Sequence, residues 1–177
     1  DLVGVRRFNQ GRTLEARWGG SEWIPFEVPL EGTHQKFNLH LALALTQACL
    51  DMGWIGPVEP ERASAALRKT QWPGRLSTLE IDDRKVLLDG AHNLEAVESL
   101  AGYLREQSVR HDLVFSCLDD KPLQEMAAIL RPIVGRVAVC PLEDPRGVPV
   151  ERLLEAFPEA IVAQGPIEAV MQLGGSV

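Results

Sequence analysis

The sequence predicts an α/β protein whose mostly parallel sheet carries helices on both faces. Two observations support this class. Hydrophobic residues make up 45% of the 177 residues, which is enough to form a buried core. From Lys85 onward, strand-like and helix-like segments alternate, and this alternation is typical of parallel strands joined by crossover helices. The part of the chain before Lys85 shows a different pattern, in which short strands are followed by two helices.

The beginning of the chain predicts three short strands, in the ranges 2–5, 13–18 and 23–30. The second strand is indicated by its alternation of polar and apolar side chains. A hairpin turn is predicted at residues 19–21, which read Gly-Gly-Ser.

A mostly buried helix is predicted over residues 38–52, which are rich in Leu and Ala and precede the helix-stopping Gly53. It would place His40, Gln47 and Asp51 on one stripe. The alternating leucines of this segment leave a strand as the alternative, although Ala favours a helix.

A surface helix is predicted from Pro60 to Lys69, because it opens with Pro and an acid and closes with bases. Residues 71–75 then break the pattern, and we place a boundary here between one domain at 1–72 and a second at 73–177. Beyond the boundary, the predicted strands cover 76–81, 85–88, 113–117, 136–140 and 160–163, and the predicted helices cover 94–106, 122–130 and 150–156.

Composition excludes several functions. With 25 acidic and 18 basic residues and a formal net charge of -7, the chain has no overall field to attract nucleic acid or an anionic membrane. Its three cysteines are widely spaced and odd in number, which argues against a disulfide framework or a zinc ribbon. With no long apolar run and no signal peptide, we expect a cytoplasmic protein. A monomer is a separate expectation, because the sequence itself does not give the oligomeric state. We also expect a piece of a longer protein, since the chain begins at Asp1 and shows no closing element before Val177.

One candidate binding segment is Asp89–Asn93, where an apolar strand ends and a helix begins. Ligands of such sheets gather beyond the carboxyl ends of the strands. Asp89 there can accept hydrogen bonds from ribose hydroxyls, and His92 can donate to a phosphate or stack on a ring. The alternatives are that Asp89 only shapes the turn and that His92 is a packed or solvated turn histidine. Asn93 is expected to cap the helix.

Two further segments carry candidate polar groups. Arg75 follows Trp72, Pro73 and Gly74, and its planar guanidinium suits a phosphate. The alternatives are an interdomain salt bridge for Arg75 and core packing for Trp72. Asn38 begins the predicted helix and is an ordinary N-cap by default, while His34 is expected to be structural. No G-x-x-x-x-G-K-[ST] phosphate loop and no other familiar catalytic signature occurs in the sequence.

Three segments in this order, Gly32–Asn38 (G-T-H-Q-K-F-N), Trp72–Arg75 (W-P-G-R) and Asp89–Asn93 (D-G-A-H-N), resemble the folate branch of the Mur ligase superfamily, the folylpolyglutamate synthase/dihydrofolate synthase type. The strand and Asp-Lys pair within 115–121 are similar to the family as well. Leu94 stands where the family often has Pro. The resemblance implies the tail of a central α/β ATPase domain followed by a Rossmann-like C-terminal domain that closes over the nucleotide.

The resemblance also implies roles for single residues. Asn38 would contact the adenine side of ATP, Arg75 its phosphates, Asp89 its ribose, and His92 the nucleotide at the same closure surface. The phosphate loop, the magnesium ligands and most of the folate pocket would lie upstream of Asp1, and the last strand and helix of the domain would follow Val177.

The implied reaction joins L-glutamate to dihydropteroate or to a folate that already carries glutamate, with ATP and Mg²⁺, through an acyl-phosphate intermediate. Two alternatives stay open. One is a ligase of the peptidoglycan type, although those branches usually carry Asp-Tyr-Ala-His where this chain has Gly90. The other is a non-catalytic α/β domain that only binds a nucleotide or a protein.

Overall fold

The chain forms two compact units, Asp1–Arg75 and Leu76–Val177. The computed structural model describes residues 4–6, 13–17 and 24–174. The division at Arg75 lies close to the boundary placed at residue 72 from the sequence.

The first unit contains an antiparallel sheet of β1 (Gly4–Arg6), β2 (Thr13–Arg17) and β3 (Ile24–Glu27), with β2 in the centre. Alternation along β2 buries Leu14 and Ala16, as the sequence pattern predicts. The predicted turn at 19–21 and the ends of the predicted strands at residues 2, 3, 18 and 23 lie outside the described residues.

Helix α1 (His34–Asp51) packs one stripe against this sheet. Its buried residues are Gln35, Leu39 and Leu43, spaced four apart. The prediction of a mostly buried helix is wrong, because Leu41 and Leu45 are 59% and 57% exposed. A sheet can cover only one side of a helix, and the apolar residues of α1 continue around the other side.

Helix α2 (Pro60–Leu67) begins at the predicted proline. The hydroxyl of Ser64, one of the few buried polar side chains of the described residues, donates a hydrogen bond of 3.1 Å to the carbonyl oxygen of Pro25 in β3. The core of the first unit therefore lies between its sheet and its helices, and its buried members are Leu14, Ala16, Phe26, Val28, Leu39 and Leu43.

The second unit opens with a hairpin of β4 (Ser77–Ile81) and β5 (Arg84–Leu88). Its two turn residues, Asp82 and Asp83, have φ of 45° and 63°. Positive φ at both central residues matches the right-handed twist of a tight hairpin. The prediction that the parallel pattern starts at Lys85 is therefore wrong, since β5 pairs antiparallel with β4.

A parallel sheet follows, with β6 (Leu113–Phe115), β7 (Val137–Val139) and β8 (Ile161–Val162) in that order. Three helices cover one face, on which the side chains of Phe115 and Val139 join the core. These helices are α3 (Leu94–Glu106), α4 (Leu123–Leu130) and α5 (Val150–Ala156). They confirm the three helices predicted in this region, and the α/β class with them.

The other face of the parallel sheet packs against β5 and against a helix that the sequence analysis missed, α6 (Pro166–Leu173). Ala138 of β7 and Leu173 of α6 are fully buried in this second core. The signals for α6 were present in the sequence. Pro166 stands in its first turn, and Gly174 ends the helix with a left-handed φ of 66°. Both faces of the sheet are thus covered, as predicted.

Among the described residues, no helix is both long enough and apolar enough to span a lipid bilayer.

Replacing Leu153 by Ala should destabilise the protein by about 2–5 kcal/mol, because Leu153 in α5 is fully buried and its loss leaves a cavity. Chemical denaturation measures the change in the free energy of unfolding. Glu155→Ala on the same helix is the control, because Glu155 is exposed and should alter stability by no more than about 0.5 kcal/mol. Equal effects of the two substitutions would contradict the packing described here.

The thiols of Cys117 and Cys140 should resist alkylation in the native protein. Both are buried, and burial raises the pKa of each thiol, which keeps it protonated at neutral pH. Cys49 is partly exposed. Mass spectrometry after iodoacetamide treatment should therefore find label on Cys49 first, and on the other two only after denaturation. Rapid native labelling of Cys117 would show that this core is not formed.

Candidate functional site

A cavity of about 530 Å³ lies in the first unit beside the beginning of α1. Asn38 and Arg75, which are distant in sequence and were singled out separately, both line it. The cavity combines apolar walls with two amides, an imidazole and a guanidinium. Its lining consists of Val28, Pro29, Leu30, His34, Gln35, Asn38, Leu39, Ala42, Leu67, Thr70, Trp72 and Arg75.

Arg75 reaches this cavity by way of a tight turn. The backbone N–H of Arg75 donates to the carbonyl oxygen of Trp72 at 3.2 Å, and Gly74 has a left-handed φ of 75°. Proline in the second position and glycine at positive φ in the third are the residues that a type II turn requires. The sequence W-P-G-R therefore fixes the backbone from which the Arg75 side chain extends.

The side chains at this turn remain available to a ligand. Trp72 is 62% exposed, so the alternative that it packs in the core is wrong. Arg75 is exposed, and none of the ion pairs found among the described residues involves its guanidinium.

Asn38 lies in the second turn of α1 and not at its N-cap, which is Thr33. The prediction of an ordinary N-cap is therefore wrong, because the helix begins at His34, ahead of the segment rich in Leu and Ala. The side chain of Asn38 instead donates through Nδ2 to Oε1 of Gln35 at 2.9 Å. Nε2 of Gln35 lies 2.8 Å from Nε2 of His34.

Gln35 was not singled out from the sequence, although it is a central member of this hydrogen-bonded chain. It is only 6% exposed, and its amide links two other residues of the cavity lining. The available signal was its position three residues before Asn38, since positions i and i+3 of a helix lie on the same face.

In the second unit, Asp89 follows β5 and each of its carboxylate oxygens accepts one backbone hydrogen bond. The N–H of Leu76 donates to Oδ2 at 3.0 Å, and the N–H of Ala91 donates to Oδ1 at 2.9 Å. The turn-shaping role that was left open for Asp89 is therefore present. A carboxylate offers about four acceptor sites, so it can still accept from a ligand hydroxyl.

His92 and Asn93 complete this loop at the entrance of α3. His92 is exposed, with Nδ1 2.8 Å from the carbonyl oxygen of Gly90, so that Nε2 is the ring nitrogen left for other partners. Asn93 confirms its predicted role as the N-cap, because its Oδ1 accepts from the N–H of Ala96 at 2.8 Å.

Charged residues line the loop after β6. Lys121 Nζ lies 2.8 Å from Oδ2 of Asp120, and this hydrogen bond holds the pKa of Asp120 below its ordinary value. Asp119 pairs with Arg152 of α5. Asp120 and Lys121 of this segment therefore form an exposed ion pair with each other. Nothing in the geometry of this pair indicates a ligand site.

Within the described ranges, no group of three or more His, Cys, Asp or Glu side chains is arranged to hold a metal ion.

The family model for the Mur ligase glutamate ligase domain matches residues 74–173. This match begins at the turn that carries Arg75 and ends with α6. The chain therefore belongs to the Mur ligase family.

Named relatives agree with this membership. A dihydrofolate synthase/folylpolyglutamate synthase of Bacillus subtilis is 36% identical over 129 residues, which cover 72% of this chain and 30% of that protein. A UDP-N-acetylmuramoyl-L-alanyl-D-glutamate–2,6-diaminopimelate ligase of Aquifex aeolicus is 26% identical over 168 residues, which cover 90% of this chain and 32% of that protein.

The fold is similar to that of Mycobacterium tuberculosis folylpolyglutamate synthase complexed with ADP, with a TM-score of 0.74 and 26% identity. The likeness covers 90% of this chain and 36% of the other. The chain thus spans about a third of the length of the proteins that it matches.

Replacing Asn93 by Ala should lower the stability of the protein by about 1 kcal/mol, because the N–H of Ala96 loses its cap. Asn93→Asp is the matched control, since its carboxylate accepts the same hydrogen bond and also suits the helix amino terminus. Thermal unfolding of both variants checks this. If Asn93→Asp loses as much stability as Asn93→Ala, the capping hydrogen bond contributes nothing to stability.

Proposed function

We propose that this chain supplies nucleotide-contacting residues to an ATP-dependent ligase that adds L-glutamate to dihydropteroate, to folate (poly)glutamates, or to both. The observation that carries the proposal is the cavity of the first unit, which both Asn38 and Arg75 line. The family supports the choice of reaction, because the matched domain is a glutamate ligase domain.

ATP fits the chemistry of this cavity. Its apolar residues, among them Val28 and Leu39, can cover the faces of a purine, and the amide of Asn38 can meet the edge of the base. The guanidinium of Arg75 offers parallel donors to phosphate oxygens. In the second unit, Asp89 is proposed to accept from the ribose hydroxyls and His92 to donate through Nε2 to the nucleotide.

The proposed reaction has two steps. An oxygen of the substrate carboxylate attacks the terminal phosphorus of ATP, so that ADP leaves and an acyl phosphate forms. The amine of L-glutamate then attacks the acyl carbon, an amide bond forms, and inorganic phosphate leaves with the electron pair of the broken C–O bond. Phosphoryl transfer depends mainly on positioning and on charge neutralisation. Arg75 would contribute the second of these.

Mg²⁺, which such a reaction uses, has no ligand cluster among the described residues. The sequence also lacks a G-x-x-x-x-G-K-[ST] loop. We propose that the metal and the triphosphate cradle are supplied by a part of the protein outside these 177 residues, so activity has to be measured on the complete protein.

Arg75→Ala should lower kcat/KM for ATP by about 10²-fold or more in the complete protein, because a charge-assisted contact to phosphate is lost. Release of phosphate that depends on both L-glutamate and a folate substrate is the measurement. Arg62→Ala is the control, since Arg62 is an exposed residue of α2 that does not line the cavity. If the Arg75 variant keeps both its turnover and its unfolding temperature, the proposed contact of Arg75 with the phosphates is wrong.

A ligase of the peptidoglycan type is the second candidate, favoured by the likeness to the Aquifex aeolicus ligase. Gly90 within Asp89–Asn93 favours the folate branch. The complete protein should therefore release phosphate with dihydropteroate or folate as the acceptor and not with a UDP-linked muramoyl peptide. The opposite preference would replace the first proposal by the second.

A further inference from the structure

The polar chain in the cavity of the first unit has a defined direction. Gln35 Nε2 lies 2.8 Å from His34 Nε2, and an amide nitrogen can only donate, so the imidazole nitrogen is the acceptor. Gln35 Oε1 in turn accepts from Asn38 Nδ2 at 2.9 Å. Each member therefore dictates the orientation of the next.

Burial makes both ends of the Gln35 amide depend on these hydrogen bonds. Gln35 is 6% exposed, so its amide oxygen and nitrogen both depend on protein partners in place of water. One N–H of Asn38 Nδ2 is used by Gln35. The amide oxygen and the second N–H of Asn38 are therefore the groups that this side chain can present to a ligand in the cavity.

We propose that Gln35 is a positioning residue that fixes the amide of Asn38 so that the site selects a 6-aminopurine nucleotide over a 6-oxopurine nucleotide. An acceptor beside a donor is complementary to adenine, whose 6-amino group donates and whose neighbouring ring nitrogen accepts. Guanine and hypoxanthine place an acceptor oxygen at the same position, where it would face the amide oxygen of Asn38. This inference rests on the proposed function, in which Asn38 meets the base.

Replacing Gln35 should weaken the preference of the site for ATP over ITP. Without its partner, the Asn38 amide can turn over and present Nδ2 to a 6-oxo group. Gln35→Met should therefore reduce the preference for ATP over ITP about tenfold, the size of one neutral hydrogen bond. The change should fall on KM for the nucleotide and leave kcat largely intact, because the phosphates are not moved.

Two variants distinguish positioning from general support of the helix. Gln35→Glu retains an oxygen that accepts from Asn38 Nδ2, so it should keep the preference for ATP. Gln47→Met is the matched control on the same helix: the Gln47 amide donates to Asp51 at 2.6 Å, and Gln47 does not line the cavity. Should Gln35→Met fail to fold, Gln35→Asn tests the same point, because its shorter amide cannot reach Asn38.

The experiment measures kcat and KM for ATP and ITP, and the equilibrium binding of each nucleotide, in the complete protein and its variants. A reduced ATP/ITP ratio in Gln35→Met, with the ratio kept in Gln35→Glu and Gln47→Met, supports the inference. An unchanged ratio in folded Gln35→Met overturns it. If ATP binds without ligation, the proposed reaction fails, and the binding ratio still decides the role of Gln35. Failure to bind either nucleotide overturns both proposals.

Discussion

The carboxylate of Asp89 is the contact on which the candidate region of the second unit depends. It accepts the N–H of Leu76 through one oxygen and the N–H of Ala91 through the other, which joins the start of β4 to the end of β5. Leu76 has a φ of 47°, an unfavourable value for a residue with a side chain. Its nearly complete burial and this hydrogen bond offset the strain.

Local chemistry explains which parts of the fold were predictable from the sequence. The turn Trp72–Arg75 depends on Pro and Gly at fixed positions, and the start of α3 depends on the capping amide of Asn93, so both signals are contained in a few adjacent residues. Long-range pairing has no such signal. The antiparallel partner of β5 is set by two aspartates at positive φ, residues that do not mark a hairpin as clearly as Asn-Gly would.

Helix α1 shows why burial and capping could not be predicted from composition. Its apolar residues surround the axis, so the sequence does not indicate which stripe meets the sheet. Its start at His34 lies within a polar segment ahead of the residues rich in Leu and Ala from which the helix was predicted, and His34, Gln35 and Asn38 of this segment line the cavity. The same feature concealed Gln35, because the role of a buried amide becomes visible only when its partners His34 and Asn38 are known.

The residues that carry the resemblance to the family differ in how many of their hydrogen-bonding groups the fold already uses. Asn93 is explained by the helix that it caps, and Asp89 is largely explained by the two backbone groups that it accepts, so neither requires a ligand. Arg75 is different: it is exposed and lines a cavity, its guanidinium is outside the ion pairs of the described residues, and its backbone is set by a turn with Pro and Gly at the required positions. An exposed guanidinium outside those ion pairs adds little to the stability of the fold. Arg75 and the oriented amide of Asn38 therefore support the proposed function more strongly than the segment Asp89–Asn93 does, although that segment is more conspicuous in the sequence.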